Sequence, residues 1–331
     1  MVKVIDCHAH YFPFGLMEAY RSTPFARSTS FLWNDPAYSD LDEHIKVMDR
    51  LGIDAEVLLP SSLLLDSFRA AGVASEEGMR LVNDAYGEAV KSYPGRFIGA
   101  VAVDPFAGKA ALDEIDRGVT RLGLKAVSMM ASYDGLYIDD DKFWPIYKLA
   151  QELQVPVTAH PVSLMPYWRE IQRAKTTMLR GEVCMLVDTT ICIGRFVRYG
   201  IYDRFPEVDF LFCQLGGMTP LLFGRFELMN HLYANAPREA VAGEAVFPLK
   251  SLHDYKGRIL GDSHSMDRVA LECAAESLGT DCIVVGGDYP ISPWRAGPAY
   301  TLEEISKARF SADDKKKILA GNAARIFNLD S

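Results

Sequence analysis

Short apolar runs rich in valine and isoleucine alternate along this chain with longer segments of helical period, and that alternation constrains the fold more than any single residue does. A strand followed by a helix, repeated, builds a parallel sheet, because the helix returns the chain to the end of the sheet from which the next strand must start. The runs predict strands over residues 2–10, 55–60, 97–103, 124–129, 155–160, 208–213, 258–262 and 282–288. Helical patterns fall between them at about 41–51, 76–92, 109–122, 141–153, 173–199 and 220–233. Eight strands with intervening helices predict a (β/α)8 TIM barrel, and 331 residues suit one such domain spanning 1–331. The segment at about 21–38, rich in Ser, Phe and Pro, reads as a long first loop able to cover the mouth of the barrel.

Composition narrows the function classes. A hydrophobic share of 49% against 24% charged supplies a large core and excludes disordered and fibrous chains. The formal net charge is -9 and the lysines and arginines are scattered, so there is no electrostatic footprint for nucleic acid. No stretch approaches the roughly 18 apolar residues of a membrane span, and the first six residues are too short for a signal peptide. Six cysteines without C-x-x-C spacing lie mostly in apolar runs, which predicts reduced, buried thiols and a cytoplasmic protein.

In such a barrel the active site lies at the C-terminal ends of the strands, so polar residues closing an apolar run become candidates. His8 and His10 are two apart on the first strand and therefore project from one face, as a metal-binding pair would. His160 closes the fifth strand and Asp288 the eighth. Three imidazoles and a carboxylate suit one divalent ion, Zn(II) first and Mn(II) or Fe(II) as the other choices. His264, two residues past the seventh strand, is a further candidate acid or base. Lys125 precedes the apolar part of its strand and reads as a residue of the closed face, which favours one ion over two. His44, His231 and His253 read as structural or solvent-facing. Met129, Met130, Phe31, Trp33 and Tyr289 are placed to line an apolar pocket for an aromatic ring, with Trp33 and Tyr289 as candidate substrate contacts.

The segments Asp6-Cys7-His8-Ala9-His10, Gly135-Leu136-Tyr137-Ile138-Asp139-Asp140 with Phe143-Trp144-Pro145-Ile146-Tyr147, Val155-Pro156-Val157-Thr158-Ala159-His160-Pro161 and Gly286-Gly287-Asp288-Tyr289-Pro290 occur in this order. Together they resemble the amidohydrolase superfamily, in the branch of aminocarboxymuconate semialdehyde decarboxylase and related metal-dependent aromatic acid decarboxylases. The resemblance implies a metal-dependent barrel enzyme with a small-molecule substrate, assembled as a homodimer or larger homo-oligomer. It also implies a substrate-carboxylate role for Arg225, in Gly224-Arg225. One departure stands out. Gln214, in Gln214-Leu215-Gly216-Gly217, occupies the place of the branch's catalytic histidine, and an amide cannot exchange protons near neutrality. The expected function is nonoxidative decarboxylation of a small aromatic or cyclic carboxylic acid, in which the resemblance implies that a protonated Asp288 delivers a proton to the ring carbon and Gln214 positions substrate. Hydrolysis or hydration at a C-N, C-O or C-C bond is the alternative, and a non-catalytic ligand-binding barrel the third reading.

Overall fold

The computed structural model describes residues 3–13, 35–60, 72–162, 179–236, 250–291 and 296–329, together with Met17, Leu65, Phe68 and Arg69. Eight parallel strands pair in sequence order. They are β1 (Ile5–His10), β2 (Ala55–Leu59), β3 (Phe97–Ala102), β4 (Ala126–Met130), β5 (Val157–His160), β6 (Phe210–Phe212), β7 (Ile259–Asp262) and β8 (Ile283–Val284). Every strand residue is buried, as expected where one face meets the barrel interior and the other meets helices. The sheet closes on itself as a (β/α)8 TIM barrel. Cys7 N–H donates to Val285 O at 2.8 Å, His10 N–H to Tyr289 O at 2.7 Å and Asp288 N–H to His8 O at 2.6 Å.

The outer layer is built from α1 (Leu41–Leu51), α2 (Ser75–Ser92), α3 (Lys109–Thr120), α4 (Trp144–Glu152), α5 (Met185–Tyr199), α6 (Phe223–Ala234), α7 (Arg268–Ser277) and α8 (Gly297–Lys307). Their starts follow local chemistry. Asp40 accepts the Asp42 N–H before α1, and Asp267 accepts the Ala270 N–H before α7, each satisfying a backbone donor that the first helical turn leaves open. Outside β6 the core is aromatic. The Phe210 ring meets Phe196 at 5.0 Å and Tyr147 at 5.1 Å, both edge to face.

Three elements depart from the sequence expectations. The eighth strand keeps regular pairing only at Ile283–Val284, because beyond it Gly286 and Gly287 pass close to buried carboxylates and Asp288 turns to a φ of 54°. A short antiparallel ribbon, Ser132–Tyr133 with Leu136–Tyr137, follows β4 around Asp134-Gly135, both at positive φ. The pattern at 220–233 predicts an amphipathic helix; instead a 3-10 turn at Thr219–Leu221 precedes α6, which buries only Phe223 and Asn230 and leaves Leu228, Leu232 and Tyr233 exposed. Of the expected first loop only Asp35–Tyr38 is described, as a 3-10 turn whose Tyr38 O accepts the Phe12 N–H. Phe31 and Trp33 lie outside the described residues, as does 173–178 of the expected fifth helical segment. All six cysteines are free and all but half-buried Cys273 are buried. Among the described residues no helix is long and apolar enough to cross a membrane.

Truncating Phe210 removes the ring on which Phe196 and Tyr147 pack. Phe210→Ala is expected to cost about 3–5 kcal/mol in urea unfolding, and a loss below about 1 kcal/mol would mean that this cluster does not hold the helices to β6.

Candidate metal centre and active site

His8, His10, His160 and Asp288 each present one ligand atom within 4.8 Å of all the others, and all four residues are buried. The imidazoles are locked in matching tautomers. His8 Nδ1 donates to Asp262 Oδ2 at 2.8 Å, His10 Nδ1 to Leu59 O at 3.0 Å and His160 Nδ1 to Pro161 O at 2.7 Å. Facing an acceptor, each Nδ1 must carry the proton, which leaves the Nε2 lone pair for an ion. His8 Nε2 lies 3.1 Å from His10 Nε2, and Asp288 Oδ1 lies 3.0 Å from His10 Nε2 and 3.4 Å from His8 Nε2. Lone pairs this close repel unless a cation or a proton is shared among them. The donor set fits one divalent cation.

Backbone hydrogen bonds aim these groups. Asp6 Oδ1 accepts the N–H groups of His8 at 3.0 Å and Gly287 at 2.8 Å, tying β1 to the turn that bears Asp288. That turn needs glycine: a Cβ on Gly286 would come within 2.8 Å of the Asp262 carboxylate, and one on Gly287 would lie 2.2 Å from Asp6 Oδ2. Gln214, Leu215, Ser265 and Asp288 all have φ between 54° and 60°, an uncommon conformation for non-glycine residues that concentrates where a fold presents functional groups.

Charge in the pocket is set by burial against close partners. Burial acts against ionised Asp288, but His264, His8 and His10 outweigh it and hold the carboxyl well below the usual range. His264 Nε2 is 3.2 Å from Asp288 Oδ2 and 2.8 Å from Ser265 Oγ, and burial lowers its pKa despite the Asp288 charge. Burial, with His8 and His10 nearby, pushes His160 down to about 3. His8 goes the other way: burial would lower it, yet the Cys213 sulfur and the Asp262 and Asp288 carboxylates raise it well above its ordinary value. Asp6 is pushed up to about 7 by burial and by neighbouring Glu56.

Of the remaining sequence candidates, Gln214 stands two residues past β6 with its N–H on Asp262 Oδ1 at 2.9 Å; among the described residues its Nε2 meets only the Met185 sulfur at 3.3 Å and its buried Oε1 has no partner. Arg225 is exposed on α6 and makes no hydrogen bond or ion pair among the described residues. Tyr289 is fully buried, its ring 4.7 Å from His44, in a cluster with Ala37 and Val47. Met129 and Met130 are buried at the end of β4. Lys125 is exposed just before β4, at the closed end of the barrel. His44 is structural: its ring nitrogens contact Glu56 Oε2 at 2.7 Å and Ala37 O at 3.0 Å. His231 and His253 are exposed. Sequence reasoning missed Asp6 and Asp262 as site residues, although each stands two positions from a candidate histidine in a strand that points alternate residues to one side.

A family model described as "Amidohydrolase" matches residues 5–329. The 2-amino-3-carboxymuconate-6-semialdehyde decarboxylase of Dictyostelium discoideum is 26% identical over 293 residues, covering 88% of this chain and 77% of that one. The gamma-resorcylate decarboxylase of Polaromonas sp. is 24% identical over 298 residues, covering 87% of each. Among solved structures, 5-carboxyvanillate decarboxylase from Sphingomonas paucimobilis superposes with a TM-score of 0.82 at 22% identity and full coverage of both chains. A dihydroxybenzoic acid decarboxylase from Polaromonas sp., crystallised with bound manganese and an inhibitor, superposes with a TM-score of 0.79 at 23% identity, covering 100% of this chain and 98% of that one. The two structural likenesses establish the barrel fold.

The raised His8 pKa gives metal binding a sign with pH. An incoming ion must displace the second, imidazolium proton of His8 from Nε2, whereas His160, pushed down to about 3, is a neutral imidazole near neutrality with its one proton on Nδ1. Affinity of the metal-free protein for Zn(II) is therefore expected to rise about tenfold per pH unit around neutrality, with one proton released per ion, as read by calorimetry in buffers of different ionisation heat. An affinity flat across that range would contradict the assignment.

Proposed function

Since the chain belongs to the amidohydrolase family over residues 5–329, and is thereby an enzyme, we propose that it is a metal-dependent nonoxidative decarboxylase of a small aromatic or cyclic carboxylic acid. The observation that carries this reading is the convergence of three imidazoles on the Asp288 carboxylate, whose second oxygen faces His264. The decarboxylase names of the relatives support it.

His8, His10, His160 and Asp288 would hold one divalent ion, and manganese in a neighbouring decarboxylase crystal puts Mn(II) on a par with the Zn(II) expected from the ligand set. When bound, that ion supplies a positive charge that holds an acid's oxygen atoms and stabilises the negative charge developing on the substrate. Asp288 acts twice. With its carboxyl held well below the usual range, it first takes the proton of a substrate hydroxyl and then delivers it to the ring carbon. The bond from that carbon to the carboxylate breaks, and carbon dioxide and the phenolate leave, so no outside proton is needed. His264 holds Asp288 Oδ2 and relays protons in place of the group that Gln214 cannot supply. Gln214 offers its buried amide as a hydrogen-bond partner for substrate.

Arg225 stands on α6 among exposed Leu221, Leu228 and Leu232. This apolar face supports assembly as a homodimer or larger oligomer in which Arg225 binds the substrate carboxylate at a partner's site. Trp33 keeps its proposed role as an aromatic wall. Tyr289, packed on His44, supports the Asp288 turn from behind. The free cysteines support a cytoplasmic setting.

A second reading, hydrolysis or hydration, draws on Gln214 alone, because water attack assisted by Asp288 requires no titrating group at that position. The deciding experiment is carbon dioxide release from a panel of hydroxybenzoates by the metal-loaded protein. Turnover of a lactone, amide or cyclic imide with none of the acids consumed would put the second reading first. On an accepted acid, Asp288→Asn and His264→Asn are each expected to lower kcat by about a hundredfold or more. Full activity in the Asp288 variant would sink both readings.

A further inference from the structure

We propose that Asp262 is the positioning residue that joins the metal ligands and the substrate-facing residues into one unit, by fixing the tautomer of His8 and pinning the backbones of residues 214 and 264. Asp262 closes β7 and is fully buried. Its Oδ2 takes the His8 Nδ1 proton at 2.8 Å, while its Oδ1 accepts the N–H of Gln214 at 2.9 Å and of His264 at 3.0 Å. One carboxylate thus contacts the ends of β1 and β6 and the loop after β7.

The three imidazoles differ in what holds them. His10 and His160 give their Nδ1 protons to backbone carbonyls, of Leu59 and Pro161, which any side chain at those positions would still provide. His8 alone depends on a side chain. A carboxylate can only accept, so it forces the His8 proton onto Nδ1 and leaves Nε2 bare toward the ion; such carboxylate–histidine pairs sharpen both the orientation and the basicity of a ligand. The fold also makes room for this group. A Cβ on Gly286 would lie 2.7 Å from Asp262 Cγ, and Cys213 brings its sulfur within 4.8 Å of a His8 ring nitrogen and an Asp262 oxygen.

Asparagine and alanine at this position separate the two jobs. In Asp262→Asn the retained oxygen still accepts from residues 214 and 264, but the new amide N–H faces His8 Nδ1, drawing the imidazole proton to Nε2, where it blocks ligation. Asp262→Ala removes both jobs. The inference rests on the metal-binding part of the proposed function and not on decarboxylation. Zinc titration of the unchanged protein tests that part first, and absence of binding there would overturn the site itself.

Given binding, Asp262→Asn, confirmed folded by circular dichroism, is expected to hold zinc about 10–100-fold more weakly in competition with a chelator. Hydrogen exchange at the 214 and 264 amides should stay slow in the asparagine variant and accelerate in the alanine variant. Zinc affinity unchanged in Asp262→Asn, or equal amide protection in both variants, would overturn the proposal. Should the variants fail to fold, nitrogen NMR of histidine in the zinc-loaded unchanged protein decides: a proton on His8 Nδ1 is expected, and a proton on His8 Nε2 overturns it.

Discussion

The centre of this molecule depends on the closure of the barrel between its first strand and the turn after its last. His10 N–H to Tyr289 O and Asp288 N–H to His8 O are ordinary hydrogen bonds, yet they bring together ligands some 280 residues apart in the chain. Without them the sheet would end in two open edges, and the His8–His10 pair would face no carboxylate. Every other feature of the site, including the third imidazole on β5 and the carboxylate on β7, is arranged around this seam.

The seam is also where the fold takes on its electrostatic cost. Asp6, His8, His10, Glu56, Asp262 and Asp288 are buried side chains that water would otherwise solvate, and burying them is unfavourable unless they are paired or share a cation. The protein meets this demand unevenly. Asp262 and Asp288 are stabilised as anions by imidazoles, whereas Asp6, beside Glu56, is pushed up to about 7. The left-handed backbone at Gln214, Ser265 and Asp288 belongs to the same arrangement, because strand geometry would alternate these side chains along the barrel wall instead of gathering them at its mouth.

Much of this was legible in the chain. The order of strands and helices follows from apolar period alone, and the four candidate ligands that the structure brings together were readable because three of them close a strand or its apolar run, where barrels present their chemistry. The carboxylates behind them were not. Asp6 and Asp262 look like any polar residue inside a strand, and only the neighbouring strand ends show that each accepts two backbone N–H groups. Tyr289 next to Asp288 suggested a substrate contact, but the turn after β8 directs it onto His44 in the core. Helix α6 carried a misleading pattern, since its leucines suggest a buried face and the tertiary packing takes only Phe223 and Asn230.

What the sequence determined by itself is the set of local choices: which segments become strands or helices, which residues stand at strand ends, and that position 214 holds an amide, which does not titrate near neutrality. These follow from periodicity and from side-chain chemistry, both properties of near neighbours in the chain. What only the tertiary structure decided is which ring nitrogen of His8, His10 and His160 faces an acceptor, in which direction burial and close partners push each buried carboxyl, and that His264 stands beside Asp288 while Arg225 lies out on α6. Those outcomes depend on distances of about 3 Å between groups far apart in the chain, and such distances exist only once the barrel has closed.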